Sequence, residues 1–134
     1  MEKMRAMVLS ECAKIETNPL KSIQIEKHQI ERSNEILLKI EACGVCHSQL
    51  HGIEGDWKHI GIPDTLPIVP GHEVVGEIIE IGEDVTKFKI GDRAGITPLL
   101  EACKNCQYCN EGKEYLCESS KITGETLKGG YSEY

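Results

Sequence analysis

The sequence lacks the features that would place the protein in a membrane, on nucleic acid or outside the cell. Its 134 residues contain no apolar run near the ~20 residues that a membrane-spanning helix needs. Met1–Leu9 has no apolar core of the kind found in secretion signals. The net charge of −7 disfavours nucleic acid and anionic lipid as partners. We therefore expect one globular cytoplasmic domain with a modest core.

The sequence also lacks the fingerprint of a dinucleotide-binding fold. No G-x-G-x-x-G motif follows a strand and opens a helix, and no βαβ series is present. The segment 124–130 holds three glycines, but they lack that strand–helix context. A cofactor-binding Rossmann domain is therefore expected to be absent from these 134 residues.

The sequence does contain four cysteines within fifteen residues, in the pattern C-x2-C-x2-C-x7-C. They are Cys103, Cys106, Cys109 and Cys117. Four thiolates are a common ligand set for structural zinc, and a C-x2-C step lets a tight turn bring two sulfurs to one ion. The polar residues between the cysteines suit a solvated loop rather than a core. We predict a structural zinc lobe over about residues 100–120.

Two other interpretations of the cysteines remain open at this point. Iron–sulfur clusters use similar spacings. Disulfides are typical of secreted chains, which this sequence does not resemble at its N-terminus. A thioredoxin-like redox site would need a single C-x-x-C near a βαβ pattern. Zinc is favoured, and the seven cysteines of the chain indicate a reducing compartment.

Apolar and β-branched runs separated by Gly, Pro and Asp predict a mainly β fold. The predicted strands are Met4–Leu9, Ser22–Ile25, Ile36–Ala42, His72–Ile81 and Arg93–Ile96, with the start of another at Gly129–Tyr134. Gly76 predicts a bulge or bend. A short helical turn is predicted over Val45–His51, and the prolines of Trp57–Val69 predict an irregular surface loop. Short strands separated by turns favour a compact β-barrel with short helices.

A second candidate metal site combines Cys46 with His72 and Glu73, about two dozen residues later. Catalytic zinc needs about three protein ligands and one open position, and thiolate and imidazole are suitable ligands. Spacing alone leaves other interpretations open. A lone buried cysteine is usually a small apolar residue. Ser48 alone would more often be a helix N-cap, and His51 a solvated histidine.

Several motifs in these segments resemble one enzyme family. Residues 71–85, GHEVVGEIIEIGEDV, match the zinc alcohol dehydrogenase signature GHE-x2-G-x5-G-x2-V. CGVCHS at 43–48 resembles the family pattern CG-[VI]-C-[HR]-[ST], and GDR at 91–93 and GGYSEY at 129–134 also match. The four-cysteine lobe has the family's structural-zinc spacing. Residues 1–134 thus resemble the N-terminal GroES-like catalytic domain of a zinc-dependent medium-chain alcohol dehydrogenase, which implies a mainly β, GroES-like β-barrel.

The resemblance implies a role for each residue of the second candidate site. Cys46 and His72 match catalytic-zinc ligands, and Glu73 matches a nearby carboxylate that can also bind the metal. Ser48 matches the hydroxyl that passes on the proton of the alcohol, and His51 matches the far end of that relay. A short hydroxyl can accept and donate at once, and a histidine exchanges protons near neutral pH.

The resemblance also implies partners and two departures from the family pattern. It implies NAD(P) as hydride acceptor, a small alcohol or aldehyde as substrate, and association with copies of the chain. His47 matches a contact to the cofactor pyrophosphate, and Trp57 a wall of the substrate pocket. Gln49 stands where relatives often have an Asp that supports the zinc-bound histidine. Pro98 and Leu99 stand where some relatives have an aromatic residue in the pocket.

Two functions are compatible with the sequence. The first is the catalytic-domain portion of an NAD(P)-dependent alcohol dehydrogenase, which we expect to be inactive without the cofactor-binding domain. The alternative is an isolated structural zinc-binding module without catalytic activity. In either case we expect the cysteine lobe to hold zinc tightly and the Cys46/His72 site to be weak or empty.

Overall fold

The computed structural model describes residues 2–134, which form three small antiparallel sheets and short helices. The strands are β1 (Lys3–Leu9), β2 (Leu20–Glu26), β3 (Ile36–Cys43), β4 (Val74–Ile81), β5 (Arg93–Ile96), β6 (Leu99–Glu101) and β7 (Lys121–Ile122). The helices are α1 (His47–Glu54), α2 (Gln107–Asn110) and the 3-10 turns Ile15–Thr17, Lys58–Ile60 and Glu114–Leu116. The sheets pair β1 with β2, β3 with β4 and β5, and β6 with β7. This confirms the mainly β fold; no helix within residues 2–134 is long and apolar enough to cross a membrane.

The strand β1 contributes to two clusters of buried residues, one of which packs against α1. Residues at every second position from Met4 to Val8 are buried, while those between them are exposed, as expected for a strand with one solvated face. Leu9, next to Val8, faces the opposite side of the strand and packs with Ile53 of α1 and with Ile68. Each such side chain contributes about 1.5–3 kcal/mol when fully buried. This cluster seats α1 against the β1–β2 sheet and so fixes the position of the residues at its N-terminus.

The β3–β4 pair contains the bulge that Gly76 predicts, although the extra residue belongs to β3. Gly76 pairs with Ile40 and the next pair joins Val75 to Ala42, so Glu41 has no partner across the sheet. A Cβ atom on Gly76 would lie 2.3 Å from the Lys39 carbonyl oxygen. A glycine is needed at this position because the backbone of β3 approaches too closely for any side chain.

Several predicted boundaries and one predicted location differ from the structure. The helix begins at His47 and runs to Glu54, beyond the predicted turn Val45–His51. β4 begins at Val74 rather than at His72. The irregular segment after Trp57 has no strand, as predicted, but its end is buried. Ile68 exchanges two backbone hydrogen bonds with Leu9, of 2.8 and 2.9 Å, which draws the segment into the core.

The last residues connect two of the sheets. The predicted strand at Gly129–Tyr134 is present only as a single bridge between Ser132 and Ala6. The Met7 N–H donates to the Tyr131 carbonyl at 2.8 Å, and the Ile40 N–H donates to the Glu133 carbonyl at 2.9 Å. The segment therefore hydrogen-bonds to β1 on one side and to β3 on the other, and links their sheets.

Candidate metal centres

The first candidate centre lies where α1 begins. Cys46 is the N-cap residue, with an extended backbone (φ −74°, ψ 141°), and its carbonyl accepts the Gln49 N–H at 3.0 Å. Its side chain therefore lies just ahead of the first helical turn, which carries Ser48. Gly55 ends the helix with φ 82°, a left-handed conformation in which its N–H bonds back to the last turn.

The segment before β4 brings the other candidate ligands to this point. The ligand atoms of Cys46, His72 and Glu73 all lie within 4.8 Å of one another. The Ser48 hydroxyl lies 3.1 Å from the Cys46 sulfur and 3.2 Å from His72 Nε2. Thiolate, imidazole and carboxylate together form a donor set that zinc accepts while keeping an open position. The structure thus brings together four of the residues that the sequence assigns to a catalytic site.

A glycine makes room for the carboxylate in this cluster. A Cβ atom on Gly44 would lie 2.1 Å from Glu73 Oε2 and 3.0 Å from the Glu73 Cβ atom. The Gly44 N–H also donates to the Glu73 carbonyl at 2.9 Å. His72 is buried, whereas Glu73 is exposed at the mouth of the site. Sequence reasoning included Gly44 in a family motif but did not identify this packing requirement.

The second candidate centre is the cysteine lobe. The sulfur atoms of Cys103, Cys106, Cys109 and Cys117 lie within 4.8 Å of one another. The Cys103 and Cys109 sulfurs are 3.8 Å apart. Four sulfurs placed tetrahedrally at about 2.3 Å from one zinc are separated by roughly 3.8 Å. Lys104 adopts a left-handed conformation (φ 60°), which tightens the turn between the first two cysteines.

Comparison with known proteins identifies the family. Residues 32–134 match the model of the alcohol dehydrogenase GroES-like domain. The chain belongs to this family. Both the order of the motifs and the two candidate metal centres agree with that assignment, which the sequence predicts from the same segments.

Relatives of the GroES-like domain include alcohol dehydrogenases. The chain is 45% identical to an alcohol dehydrogenase of Geobacillus stearothermophilus over 131 residues, which are 98% of this chain and 36% of that protein. CAD from Helicobacter pylori, solved with NADP(H), is 31% identical with a TM-score of 0.79, covering 98% of this chain and 38% of that one. A cobalt- and zinc-bound thermostable alcohol dehydrogenase from Pyrobaculum aerophilum is 26% identical with a TM-score of 0.82, again covering 98% of this chain and 38% of that one. The chain spans little more than a third of the length of these relatives.

The pKa shifts and the close spacing of the thiols in the cysteine lobe indicate a site for a cation. Backbone N–H groups of Asn105 and Cys106 donate to the Cys103 sulfur and hold the pKa of that thiol well below its ordinary value. Partial burial, together with neighbouring thiols, raises the pKa of Cys109. Sulfurs this close cannot all carry negative charge without a cation among them. The 3.8 Å separation also exceeds the roughly 2 Å of a disulfide, and all seven cysteines are free.

Three other predicted site residues form a stacked row beside α1. The His51 ring lies between His47, at 4.9 Å between centroids, and Trp57, at 5.0 Å. His51 Nδ1 lies 2.8 Å from a carboxylate oxygen of Asp56, and this hydrogen bond lowers the pKa of Asp56. No hydrogen bond joins Ser48 to His51 within residues 2–134, so a proton passing between them needs a bridging hydroxyl or water. The cofactor and substrate contacts of His47 and Trp57 stay predictions.

Sequence reasoning missed one acidic residue next to the candidate catalytic site. Glu125 is 8% exposed, and its Oε1 lies 3.6 Å from His72 Nδ1. Burial raises the pKa of Glu125, while the nearby His72 opposes that shift. The available signal was one Glu in a glycine-containing segment, which does not distinguish a buried carboxylate from an exposed one. Pro98 and Leu99 lie at the turn into β6, outside both clusters.

Proposed function

We propose that this chain forms the catalytic domain of a zinc-dependent NAD(P) alcohol dehydrogenase that oxidises small alcohols to aldehydes or ketones by hydride transfer. The observation that carries the proposal is the meeting of Cys46, Ser48, His72 and Glu73 at the start of α1. A structural zinc site needs no hydroxyl among its ligands, whereas oxidation of an alcohol requires a group that accepts its proton.

Cys46, His72 and Glu73 are the residues that would hold the catalytic metal. Zinc, when bound there, supplies a Lewis acid that makes a bound hydroxyl acidic near neutral pH. The Ser48 hydroxyl is within hydrogen-bond distance of both the sulfur and the imidazole, so it lies where a bound alcohol would lose its proton. It can accept that proton at Oγ while donating its own.

His51 is suited to return the proton to solvent. Its ring is half-buried, and its Nδ1 is held by Asp56, which leaves Nε2 free to receive a proton. Imidazole exchanges protons at physiological pH, as the end of a relay must. The gap between Ser48 and His51 has to be covered by a bridging water or by a hydroxyl of the bound cofactor, because the substrate hydroxyl is the source of the proton.

The hydride acceptor in this proposal is NAD(P), whose nicotinamide carries the redox chemistry. In this proposal His47, which is exposed beside the site, donates to a pyrophosphate oxygen, and Trp57, which stacks on His51, lines the substrate pocket. We expect residues 1–134 alone to be inactive, because they contain no nucleotide-binding motif. The cysteine lobe would hold a structural zinc, since four thiolates leave no position for substrate.

The test joins the chain to a cofactor-binding domain. Residues 1–134 are fused to the remaining part of the Geobacillus stearothermophilus relative, which is 45% identical over the shared region. NADH formation from a primary alcohol is expected from the fusion and not from the 134-residue chain. Ser48→Ala is the matched control, since it retains all candidate metal ligands. A fusion that binds zinc and cofactor but forms neither NADH from NAD⁺ nor NADPH from NADP⁺ would contradict the proposal and favour a structural module.

A further inference from the structure

The two nitrogens of the His72 ring face different hydrogen-bond partners. Nε2 faces the metal-ligand cluster, 3.2 Å from the Ser48 hydroxyl. Nδ1 faces away from it, 2.9 Å from the side-chain nitrogen of Gln49 and 3.6 Å from Glu125 Oε1. A neutral imidazole carries its proton on only one nitrogen. The hydrogen bonds around the ring therefore determine whether Nε2 can bind a metal.

Gln49 favours the tautomer that cannot bind metal through Nε2. The Gly71 N–H donates to Gln49 Oε1 at 2.6 Å, which fixes the orientation of the buried amide. Its NH₂ group must then face His72, and because that group can only donate, Nδ1 must accept. The ring proton is therefore on Nε2.

The Ser48 contacts are compatible with the same tautomer. When the Ser48 hydroxyl donates to the Cys46 sulfur, 3.1 Å away, its oxygen accepts from His72. His72 Nε2 is then the donor. A continuous chain of donors runs from Gln49 through His72 and Ser48 to Cys46, and it leaves no lone pair on Nε2 for a metal ion.

Metal binding through Nε2 requires the opposite tautomer and a different partner. With the proton on Nδ1, the ring must donate, and the NH₂ group of Gln49 cannot accept. Glu125 offers the acceptor. Its carboxylate pairs with His72 alone among the basic side chains of residues 2–134. The 3.6 Å distance is slightly long for a hydrogen bond, so a shift of about half an ångström would complete it.

The fold holds Glu125 against His72 through its backbone. Its carbonyl accepts the Asp64 N–H at 3.1 Å, and its own N–H donates to the Ile122 carbonyl at 3.2 Å. The preceding residue, Gly124, has φ 74° and lies so close to Gly71 that a Cβ atom would be 2.7 Å from the Gly71 nitrogen. A buried carboxylate is costly without a hydrogen-bond donor, and the Nδ1–H of His72 is the donor at hand.

We propose that Glu125 holds His72 in its metal-binding tautomer and that Gln49 holds the metal-free tautomer. The inference rests on the proposed zinc site at Cys46 and His72. On metal uptake one proton leaves Nε2 and one is taken up at Nδ1, so the ring stays neutral. Nδ1 then exchanges Gln49 for Glu125 as its partner. Glu125 is a positioning residue, because it acts on the metal through His72.

Nitrogen NMR of the 134-residue chain tests the tautomer directly. Long-range ¹H–¹⁵N spectra of histidine-labelled protein distinguish Nδ1–H from Nε2–H. With only the cysteine lobe loaded, we expect His72 to carry its proton on Nε2. Excess Zn²⁺ should move the proton to Nδ1. A proton on Nδ1 in the absence of metal at this site would overturn the role of Gln49.

Metal affinity tests the role of Glu125. Glu125→Gln preserves the volume of the side chain, and we expect it to weaken zinc binding at this site about 10–100-fold in chelator competition. Affinity at the cysteine lobe should not change. Glu125→Asp retains a carboxylate and should retain the Nδ1–H signal with zinc. Glu77→Gln, an exposed change on β4, is the matched control.

The outcomes separate this inference from the proposed function. Wild-type protein that binds no second zinc even with Zn²⁺ in excess would contradict the proposed catalytic site itself. Wild-type protein that binds a second zinc, with Glu125→Gln binding it equally well, would overturn only the role of Glu125. Loss of both sites in Glu125→Gln with Glu125→Asp equally impaired would assign Glu125 to folding and also overturn the proposal.

Discussion

The two candidate metal centres of this domain are assembled in opposite ways. In the lobe, four sulfurs come from one continuous stretch, and a left-handed turn at Lys104 with backbone N–H bonds to sulfur brings them together. At the start of α1, Cys46 and His72 come from segments that meet only because the helix packs on β1 and the strand β4 lies beside β3. The lobe is therefore formed by local contacts, whereas the α1 centre depends on tertiary contacts.

This difference supports the proposed roles, which are structural for the lobe and catalytic for the α1 centre. The lobe offers four identical ligands and no hydroxyl, so a tetrahedral ion in it is closed to substrate. The α1 centre offers three unlike ligands, and Ser48 contacts two of them. Its buried imidazole also has two competing partners, which makes metal binding there conditional on hydrogen bonding. The stronger sequence pattern therefore marks the centre with the simpler role.

The largest expected effect comes from removing one sulfur from the lobe. Cys109→Ser removes a metal ligand and should weaken zinc binding in the lobe. The loss should exceed the roughly 10–100-fold that follows when only a hydrogen-bond partner of a ligand is removed. Amide exchange should show loss of protection across 103–117, because folding there depends on the metal. β1 to β4 should keep their protection. Cys12→Ser, which alters a cysteine outside both clusters, is the control. Unchanged zinc content in Cys109→Ser would show that the lobe is not a four-thiolate site.

The next effect concerns the α1 centre in the fused enzyme. Ser48→Ala should lower the rate of alcohol oxidation about 10²–10⁴-fold, because it removes the group that accepts the proton. The zinc content of both centres should stay the same, since Ser48 is not one of the clustered ligands. Steady-state NADH formation and elemental analysis on the same samples measure the two quantities. A fall in metal content that parallels the fall in rate would assign Ser48 to the metal site rather than to proton transfer.

A smaller effect is expected from filling the space beside Glu73. The Cβ atom of Gly44→Ala would lie 2.1 Å from Glu73 Oε2, so the carboxylate must leave the cluster. We expect roughly 10-fold weaker zinc binding at the α1 centre, measured by chelator competition, and no change in the lobe. Gly52→Ala is the control, because its Cβ would meet only Ile62, at 4.0 Å. Equal zinc affinity in the two variants would remove Glu73 from the ligand set.

The smallest effect concerns the salt bridges of Arg32, one of which links the lobe to the rest of the domain. Arg32 pairs with Glu101 of β6 at 2.5 Å and with Glu35 before β3 at 2.7 Å. These pairs are partly exposed, so Arg32→Ala should lower the free energy of unfolding by no more than about 1 kcal/mol. Urea denaturation measures the change, and metal content should be unaffected.

The same salt bridges predict a pH dependence with a definite sign. Backbone N–H donation at Glu31 and Arg32, together with the Arg32 side chain, holds the pKa of Glu35 below its ordinary value. The stability contributed by ionised Glu35 is therefore full above that ordinary value and is lost as the pH falls through the lowered one. The difference between wild type and Arg32→Ala should shrink in that acidic range. A difference that stays constant there would show that the Arg32–Glu35 pair does not contribute to stability.

Much of the fold and the candidate ligands could be predicted from local patterns. The strands β1, β3 and β5 follow from alternation and β-branched runs, and the lobe follows from cysteine spacing. Burial of Ile68 could not be predicted, because it depends on backbone pairing with Leu9 across the molecule. Glu125 was missed for the same reason: its approach to His72 depends on close glycine contacts between distant segments.

Cobalt substitution tests most directly the claim that one centre is closed and the other open. Metal-free protein is titrated with Co²⁺ while thiolate charge-transfer absorbance is followed, and imidazole is then added as an external ligand. We expect two bound cobalt ions, with only the weaker one changing its spectrum on addition of imidazole and disappearing in Cys46→Ala. Binding of only one cobalt ion would contradict this claim. Binding of two cobalt ions whose spectra both stay unchanged when imidazole is added would also contradict it.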